Sequence, residues 1–361
     1  MSRFFSSKYS SLRPYVPGEQ PRDRKYVKLN TNESPFPPSP EAVRAAAEAA
    51  RGFELYPDPD ATRLCASLAR TYGVESENVI CTNGSDEVLN FAFAAFCDSE
   101  TPAVFPDITY GFYRVFAEQN GVPYREYPLL PDLGIDVGDY LQNDATVFIA
   151  NPNAPTGITL PRSDIERILR ANPDRVVVID EAYIDFGGES AVGLTKKYPN
   201  LLVVMTFSKS RSMAGARLGF GIADKELIRD LHTLRYSTNP YNVNGATLAA
   251  GVGALSDPGY TEKNVREIIR VREKTKETLA GLGFEMTDSQ ANFLFVRHPS
   301  IGGKELYLSL RERGVLVRHF DAARISDYNR VTVGSEEQME ILIEKIKEII
   351  GFSRRTAVKK G

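Results

Sequence analysis

The residue best placed for covalent chemistry lies in the run Thr206-Phe207-Ser208-Lys209-Ser210-Arg211-Ser212-Met213-Ala214-Gly215-Ala216-Arg217-Leu218-Gly219. It follows Leu201–Thr206, an apolar β-branched stretch that reads as a buried strand. A lysine just past such a strand, among small hydroxyl residues, has two readings. It is a Schiff-base lysine with Ser208 and Arg217 gripping a phosphate, or it is a solvated charge at a strand end. A second run, Val176-Val177-Val178-Ile179-Asp180-Glu181-Ala182-Tyr183, sets a carboxylate at the carboxyl end of a buried strand, where open α/β sheets hold ligands. Burial raises a carboxyl pKa unless a cation or donor faces it, and a protonated pyridine nitrogen would serve. The alternative for Asp180 is a cap on the following helix. Asn151-Pro152-Asn153-Ala154-Pro155-Thr156-Gly157 forms a rigid turn after a third strand. Gly84-Ser85-Asp86 opens a helix whose free N–H groups and positive end suit a phosphate.

The elements that must position these residues alternate along the chain. Residues 1–40 hold seven prolines and read as an extended arm. Glu41–Ala50 is Ala-rich and helical by propensity. Asn78–Thr82, Ala145–Ala150, Val176–Ile179 and Leu201–Thr206 read as buried strands of a mostly parallel sheet. A helix follows the first of them at Val88–Phe96, with Ser85 as its expected cap. Past Gly245 the texture changes. A charged amphipathic helix over Glu262–Leu282 leads to strands at Asn292–Val296, Val315–Arg318 and Arg330–Val333. A last helix spans Glu336–Ile350, with Met339, Leu342, Ile343, Ile346 and Ile349 at helical spacing. The expected division is an arm (1–40), a large α/β domain (41–245), a smaller α+β domain (246–352) and a frayed basic tail (353–361).

Composition narrows the function. Forty-four basic against 47 acidic residues leave a net charge of −3, which gives no argument for nucleic acid or membrane lipid as partner. No apolar run approaches the ~18–20 residues of a membrane span, and the first residues lack the apolar core of a signal peptide. Cys65, Cys81 and Cys97 are scattered, as are His232, His298 and His319. Neither a disulfide framework nor a metal site is expected, and the cytoplasm is the default compartment. No nucleotide-binding glycine fingerprint is present.

Four strand ends thus carry Gly84-Ser85, Asn153, Asp180 and Lys209 in that order. The set resembles the fold-type I pyridoxal-phosphate aminotransferases, whose NP(N)xPTG, DEAY and SKxxxxAGxRxG motifs it matches in order and spacing. A closer likeness is to the histidinol-phosphate aminotransferase family, from about residue 12 to 350. It rests on Arg13-Pro14-Tyr15-Val16-Pro17-Gly18, Leu29-Asn30-Thr31-Asn32-Glu33-Ser34-Pro35, Tyr56-Pro57-Asp58, Pro240-Tyr241-Asn242-Val243-Asn244 and Asn329-Arg330-Val331-Thr332-Val333-Gly334. The resemblance implies pyridoxal 5'-phosphate as cofactor, bound covalently by Lys209. Asp180 would pair with its ring nitrogen, Tyr183 with its ring hydroxyl, and Tyr110 would stack on the ring. Ser85, Asp86, Ser208 and Arg217 fall where the family holds the cofactor phosphate. Tyr56 falls where the family reaches that phosphate from a neighbouring subunit, which implies a homodimer.

One position departs from the family. The residue before Pro-Thr-Gly is Asn in most relatives and bonds the ring hydroxyl, whereas here it is Ala154. Asn153 is the substitute in reach along the chain. Arg330 and Arg318 look like a substrate anion pair, since a guanidinium fork suits carboxylate and phosphate alike. The bland reading of both is a solvated strand end. Tyr15 and Asn32, on the arm, match family positions that close over the substrate.

The implied reaction is transamination between L-histidinol phosphate and 2-oxoglutarate, giving imidazole acetol phosphate and glutamate, a step of histidine biosynthesis. Three rivals stand beside it: an aromatic or broad-specificity aminotransferase, a phosphothreonine-type decarboxylase of the same fold, and a non-catalytic phosphate- or nucleotide-binding module.

Overall fold

The structure is a computed structural model. It describes the chain except Met1, Ser11, Gln142 and 359–361, and the backbone alone from 352 to 358. The arm contributes one short strand, β1 (Val27–Lys28). A seven-stranded sheet follows, built from β2 (Val79–Thr82), β3 (Ala103–Pro106), β4 (Tyr124–Tyr127), β5 (Thr146–Ala150), β6 (Val177–Asp180), β7 (Leu201–Thr206) and β8 (Gly219–Ala223), in the order β2-β8-β7-β6-β5-β3-β4. Only β8 runs antiparallel to its neighbours β2 and β7. Helices α1 (Pro40–Ala49), α2 (Thr62–Tyr72), α3 (Ser85–Phe96), α4 (Phe112–Asn120), α5 (Arg162–Ala171), α6 (Lys225–Thr238) and α7 (Gly245–Ser256) surround the sheet.

The continuous apolar strands are explained by two buried faces. Val147 and Ile149 of β5, Val177 and Ile179 of β6, and Leu201 and Val203 of β7 join one core with Leu64, Ile165 and Ala250 from α2, α5 and α7. The alternate residues Phe148, Val178, Leu202 and Val204 join a second core with Val88, Tyr113 and Ile228 from α3, α4 and α6. A period-2 strand between two helical layers must be apolar at every position.

The smaller unit starts with α8 (Pro258–Gly281) and holds β9 (Glu285–Met286), β10 (Phe293–Arg297), α9 (Gly303–Glu312), β11 (Val315–Leu316), β12 (Arg318–His319), β13 (Asn329–Thr332) and α10 (Glu336–Val358). Its antiparallel sheet has the order β12-β13-β10-β9. Ile268, Val271, Leu294, Val296, Val331, Leu342 and Ile346 form its core.

Several expectations need adjusting. Helix α7 begins at Gly245 and packs on α1 and α2, and α8 follows the Asp257 cap. Val315–Arg318 is not one strand. Β11 pairs in parallel with β1 of the arm, while β12 pairs with β13. The arm is therefore stitched to the small unit. Helix α10 continues to Val358, into the stretch read as a frayed basic tail, whose last residues lie outside the described ones. Among the described residues no helix is long and apolar enough to cross a membrane.

Candidate active site

Strands β5, β6 and β7 lie side by side in parallel, with Ala150 opposite Asp180 and Asp180 opposite Val204. Their carboxyl ends therefore present the Asn151 turn, Asp180 and the Lys209 loop along one edge of the sheet. Two adjoining cavities open there. The inner one, about 400 Å³, is lined by Ser85, Asp86, Asp180, Ser208 and Arg217 among others. The outer one, about 490 Å³, is lined by Tyr15, Arg318 and Arg330 among others. Thr31, Tyr110, Ala154, Tyr183 and Lys209 border both. Lys209 thus stands at the junction of two compartments.

Asp180 is buried and accepts hydrogen bonds from the Tyr113 hydroxyl (3.1 Å) and the Ala182 N–H (3.2 Å). It does not cap a helix, since the 3-10 turn Ile184–Phe186 starts after Tyr183 without a side-chain cap. Burial pushes its carboxyl up to about 7, against the pull of Tyr113, Ala182 and Lys209; the Asp86 charge adds to the rise. An aromatic cation placed beside it would supply the missing counter-charge. The Lys209 amine donates to the Thr31 carbonyl at 3.2 Å and lies 5.5 Å from the centre of the Tyr183 ring. The Tyr183 hydroxyl accepts from the Asn32 carboxamide at 2.9 Å.

At the other end of the inner cavity the backbone makes an anion cradle. Gly84 occupies the cap position of α3 with φ of +81°, so Ser85 is the first helical residue and not the cap. A Cβ on Gly84 would sit 2.5 Å from the Arg217 guanidinium, and one on Gly219 would sit 2.2 Å from the Ser85 nitrogen. Both glycines permit β8, Arg217 and the start of α3 to converge. Arg217 has a left-handed backbone (φ +54°) and donates to Asp86 at 3.0 Å; Asp86 also accepts from Tyr110 at 2.7 Å. Burial, and then the Asp86 charge, holds the Tyr110 phenol well above its ordinary range, so it remains a donor. The Ser208 hydroxyl is fixed by Thr206 at 2.9 Å.

In the outer cavity Arg318 and Arg330 face one another across the β12–β13 pair. Like charges side by side on a sheet are unfavourable without an anion between them. Arg318 donates to the carbonyls of Val16 and Pro17, Arg330 to that of Asn30. The Arg330 Nε is buried without a partner, and burial lowers the guanidinium pKa from its ordinary value. This donor set fits an oxyanion. Tyr15 stacks on Phe112 at 4.3 Å at the rim.

Two expected residues stand apart. Asn153 is not in either cavity. Its carboxamide is consumed inside the turn, donating to Ile108 O (3.0 Å) and Thr156 Oγ1 (3.1 Å) and accepting from Thr109 Oγ1 (2.8 Å). Adjacent side chains of the turn point apart, and Ala154 is the one that borders the cavities. Tyr56 is 81% exposed and stacks on Tyr241 at 4.5 Å, outside both cavities of its own chain. Tyr113, in the first turn of α4, has no signal of its own in the sequence; its ring meets that of Tyr110 edge-on at 5.8 Å.

The family model for class I and II aminotransferases matches residues 24–346. The chain belongs to the class I and II aminotransferases. Among relatives in this family, the chain is 48% identical to histidinol-phosphate aminotransferase of Brachyspira hyodysenteriae, over 97% of this chain and 99% of that one. It is also 48% identical to histidinol-phosphate aminotransferase 1 of Bradyrhizobium diazoefficiens, over 97% and 100%. Its fold matches the crystal structure of histidinol-phosphate aminotransferase from Sinorhizobium meliloti in complex with pyridoxal-5'-phosphate. The TM-score is 0.88 at 23% identity, with 97% and 99% of the two chains covered. The architecture is that of the fold-type I aminotransferases: a large, mostly parallel sheet with a smaller antiparallel unit.

Proposed function

We propose that this chain transfers an amino group from L-histidinol phosphate to 2-oxoglutarate, giving imidazole acetol phosphate and glutamate, with pyridoxal 5'-phosphate as cofactor. The observation that carries the reading is near-full-length similarity to histidinol-phosphate aminotransferases. The paired arginines and the cradle above support it from this chain's own chemistry.

The residues fit the cofactor. Lys209 would bind it covalently, Asp180 would face its ring nitrogen, and Tyr183 its ring hydroxyl. Tyr110 would cover the ring, and Ser85, Asp86, Ser208 and Arg217 would surround its phosphate. Bound there, pyridoxal phosphate supplies an electron sink that lets an amino group leave one carbon and join another. Lys209, once its amine is free, holds and moves a proton at Nζ, and the Thr31 carbonyl 3.2 Å away keeps that nitrogen in place. Asp180 would carry its negative charge at the floor of the cavity once the cofactor's ring cation faced it. Tyr113, itself pushed well above its ordinary pKa by burial, stays a neutral donor to it. Arg330 and Arg318 orient the substrate anion, a phosphate in one half-reaction and a carboxylate in the other. Tyr15 and Asn32 close the arm side of the outer cavity.

We further infer a cytoplasmic homodimer with shared sites. Phe53, Leu55 and Tyr56 form an exposed apolar cluster, 62%, 73% and 81% accessible, on the segment that bears Tyr56. The three cysteines are free and buried, which suits a reducing compartment.

The test is kcat/KM for histidinol phosphate against phenylalanine and tyrosine, with 2-oxoglutarate as acceptor. Histidinol phosphate should win, because neither amino acid carries a phosphate. A clear win for an aromatic amino acid makes the protein an aromatic aminotransferase. Carbon dioxide release from a phosphorylated amino acid makes it a decarboxylase.

A further inference from the structure

Asn32 sits on the arm in a left-handed backbone conformation (φ +57°) and is buried. Every polar group it has is engaged. Its N–H donates to the Thr332 hydroxyl (2.9 Å), and that hydroxyl donates back to the Asn32 Oδ1 (3.1 Å). The Asn292 carboxamide donates to the Asn32 carbonyl (3.0 Å). The exchange with Thr332 fixes which way the Asn32 amide faces. A hydroxyl that already accepts from an N–H has its proton to give, and it gives it to the amide oxygen. The amide NH₂ is thereby turned toward the Tyr183 hydroxyl, to which it donates at 2.9 Å. The phenol oxygen accepts this bond and keeps its own proton for a further partner. A phenol that accepts one hydrogen bond donates a stronger one.

The same strand pair holds the rest of Tyr183. Phe293 is the register partner of Thr332 in the β10–β13 ladder, and its ring meets that of Tyr183 edge-on at 5.1 Å. Two cross-strand neighbours of the small unit therefore fix one tyrosine, Phe293 its ring directly and Thr332 its hydroxyl through Asn32. The flanking arm residues extend the link. Thr31 offers its carbonyl to Lys209, and Asn30 offers its own to Arg330.

We propose that Thr332 and Asn292 are positioning residues that act through Asn32 to aim the Tyr183 hydroxyl. This inference rests on the roles given above to Lys209 and Tyr183. Neither Thr332 nor Asn292 borders either cavity, so neither touches substrate or cofactor. With Ala154 in place of a carboxamide, Asn32 is the side-chain amide that reaches Tyr183.

The experiment is a pH titration of the visible absorbance of the cofactor-loaded protein. Tyr183→Phe removes a donor to the ring oxygen and moves the midpoint. Thr332→Val keeps the shape and removes the hydroxyl, and should move the midpoint in the same direction by about half a pH unit. Thr332→Ser should restore it. In the Tyr183→Phe background, Thr332→Val should add no further shift, because its effect passes through that phenol. A merely structural Thr332 would lower the unfolding midpoint and leave the spectral one alone. Asn32→Gly, which tolerates the positive φ and lacks the carboxamide, gives the same readout should Thr332→Val fail to fold. An unmoved midpoint in Thr332→Val or Asn32→Gly, or equal shifts in both backgrounds, overturns the proposal. A wild-type chain that shows no visible band after loading overturns the functional reading beneath it.

Discussion

Removing the charge at Asp180 should stabilise the cofactor-free protein, and only above mildly acid pH. Burial raises this carboxyl from 3.8 to about 7, so the folded chain holds the proton more tightly than the unfolded one. Below about pH 4 both states are protonated and the group costs nothing. As pH rises toward 7 the unfolded chain has released its proton while the folded chain retains it, so stability falls. Above 7 the whole penalty is present. A span of about three pH units, at about 1.4 kcal/mol each, amounts to about 4 kcal/mol. Asp180→Asn removes the charge, keeps an acceptor oxygen for the Ala182 N–H, and turns its NH₂ to the Tyr113 hydroxyl, which can accept instead of donate. Urea unfolding of the cofactor-free proteins at pH 5, 6, 7 and 8 should show the variant pulling ahead of wild type as pH rises. Glu181, also raised to about 7 chiefly by burial, feels the Asp180 charge, so the variant eases its titration as well and adds to the same trend. Adding pyridoxal phosphate should reverse the order, because its ring cation stabilises the wild-type carboxylate and gives the amide nothing comparable. Parallel pH profiles for the two cofactor-free chains would refute the argument, since Asp180 would then be an ordinary solvated acid.

Three other outcomes are expected. Arg330→Ala should lower kcat/KM by about ten- to a hundredfold in both half-reactions, with the cofactor retained and the fold no less stable, because the variant also relieves the Arg318–Arg330 repulsion; steady-state kinetics and a melting curve check this. Gly219→Ala should weaken cofactor binding at least tenfold, because the new Cβ would press on the Ser85 nitrogen of the cradle; equilibrium titration with the cofactor measures it. Mixing inactive Lys209→Ala chains with inactive Tyr56→Ala chains should restore some activity, since one site of each mixed dimer receives both intact residues; no recovery after confirmed subunit exchange argues that each chain works alone.

Strands β5, β6 and β7 were legible because burial on both faces leaves no room for polar residues, and the chemistry at their ends was legible with them. Strand β8 was not. It reads Gly-Phe-Gly-Ile-Ala, and its glycines, needed where the backbone meets α3, erase the β-branched signal. Strand β4, Tyr-Arg-Glu-Tyr, is an edge strand whose charges blunt it and hide it. The cap of α3 lies one residue before Ser85 because Gly84, with a positive φ and no room for a Cβ beside Arg217, holds that place without a side-chain cap. Proximity along the chain favours Asn153, but its carboxamide is needed to close its own turn. The links from Thr332 and Asn292 to Asn32 join residues some 300 and 260 positions apart, and no local pattern announces them.

The pairing of β1 with β11 sets an order on the making of this molecule. Val27 and Lys28 leave the ribosome long before their partners Val315 and Leu316. The large sheet can assemble while the arm is still unpaired, but the roof of the outer cavity cannot. Leu29, Asn30 and Asn32 acquire their fixed places only when Leu316, Arg330 and Thr332 exist to hold them. Closing so long a loop costs little more than closing a moderate one, yet it is slow to find. A nascent chain can therefore possess a folded Lys209 loop long before it can grip a substrate, and competence arrives with the last strand.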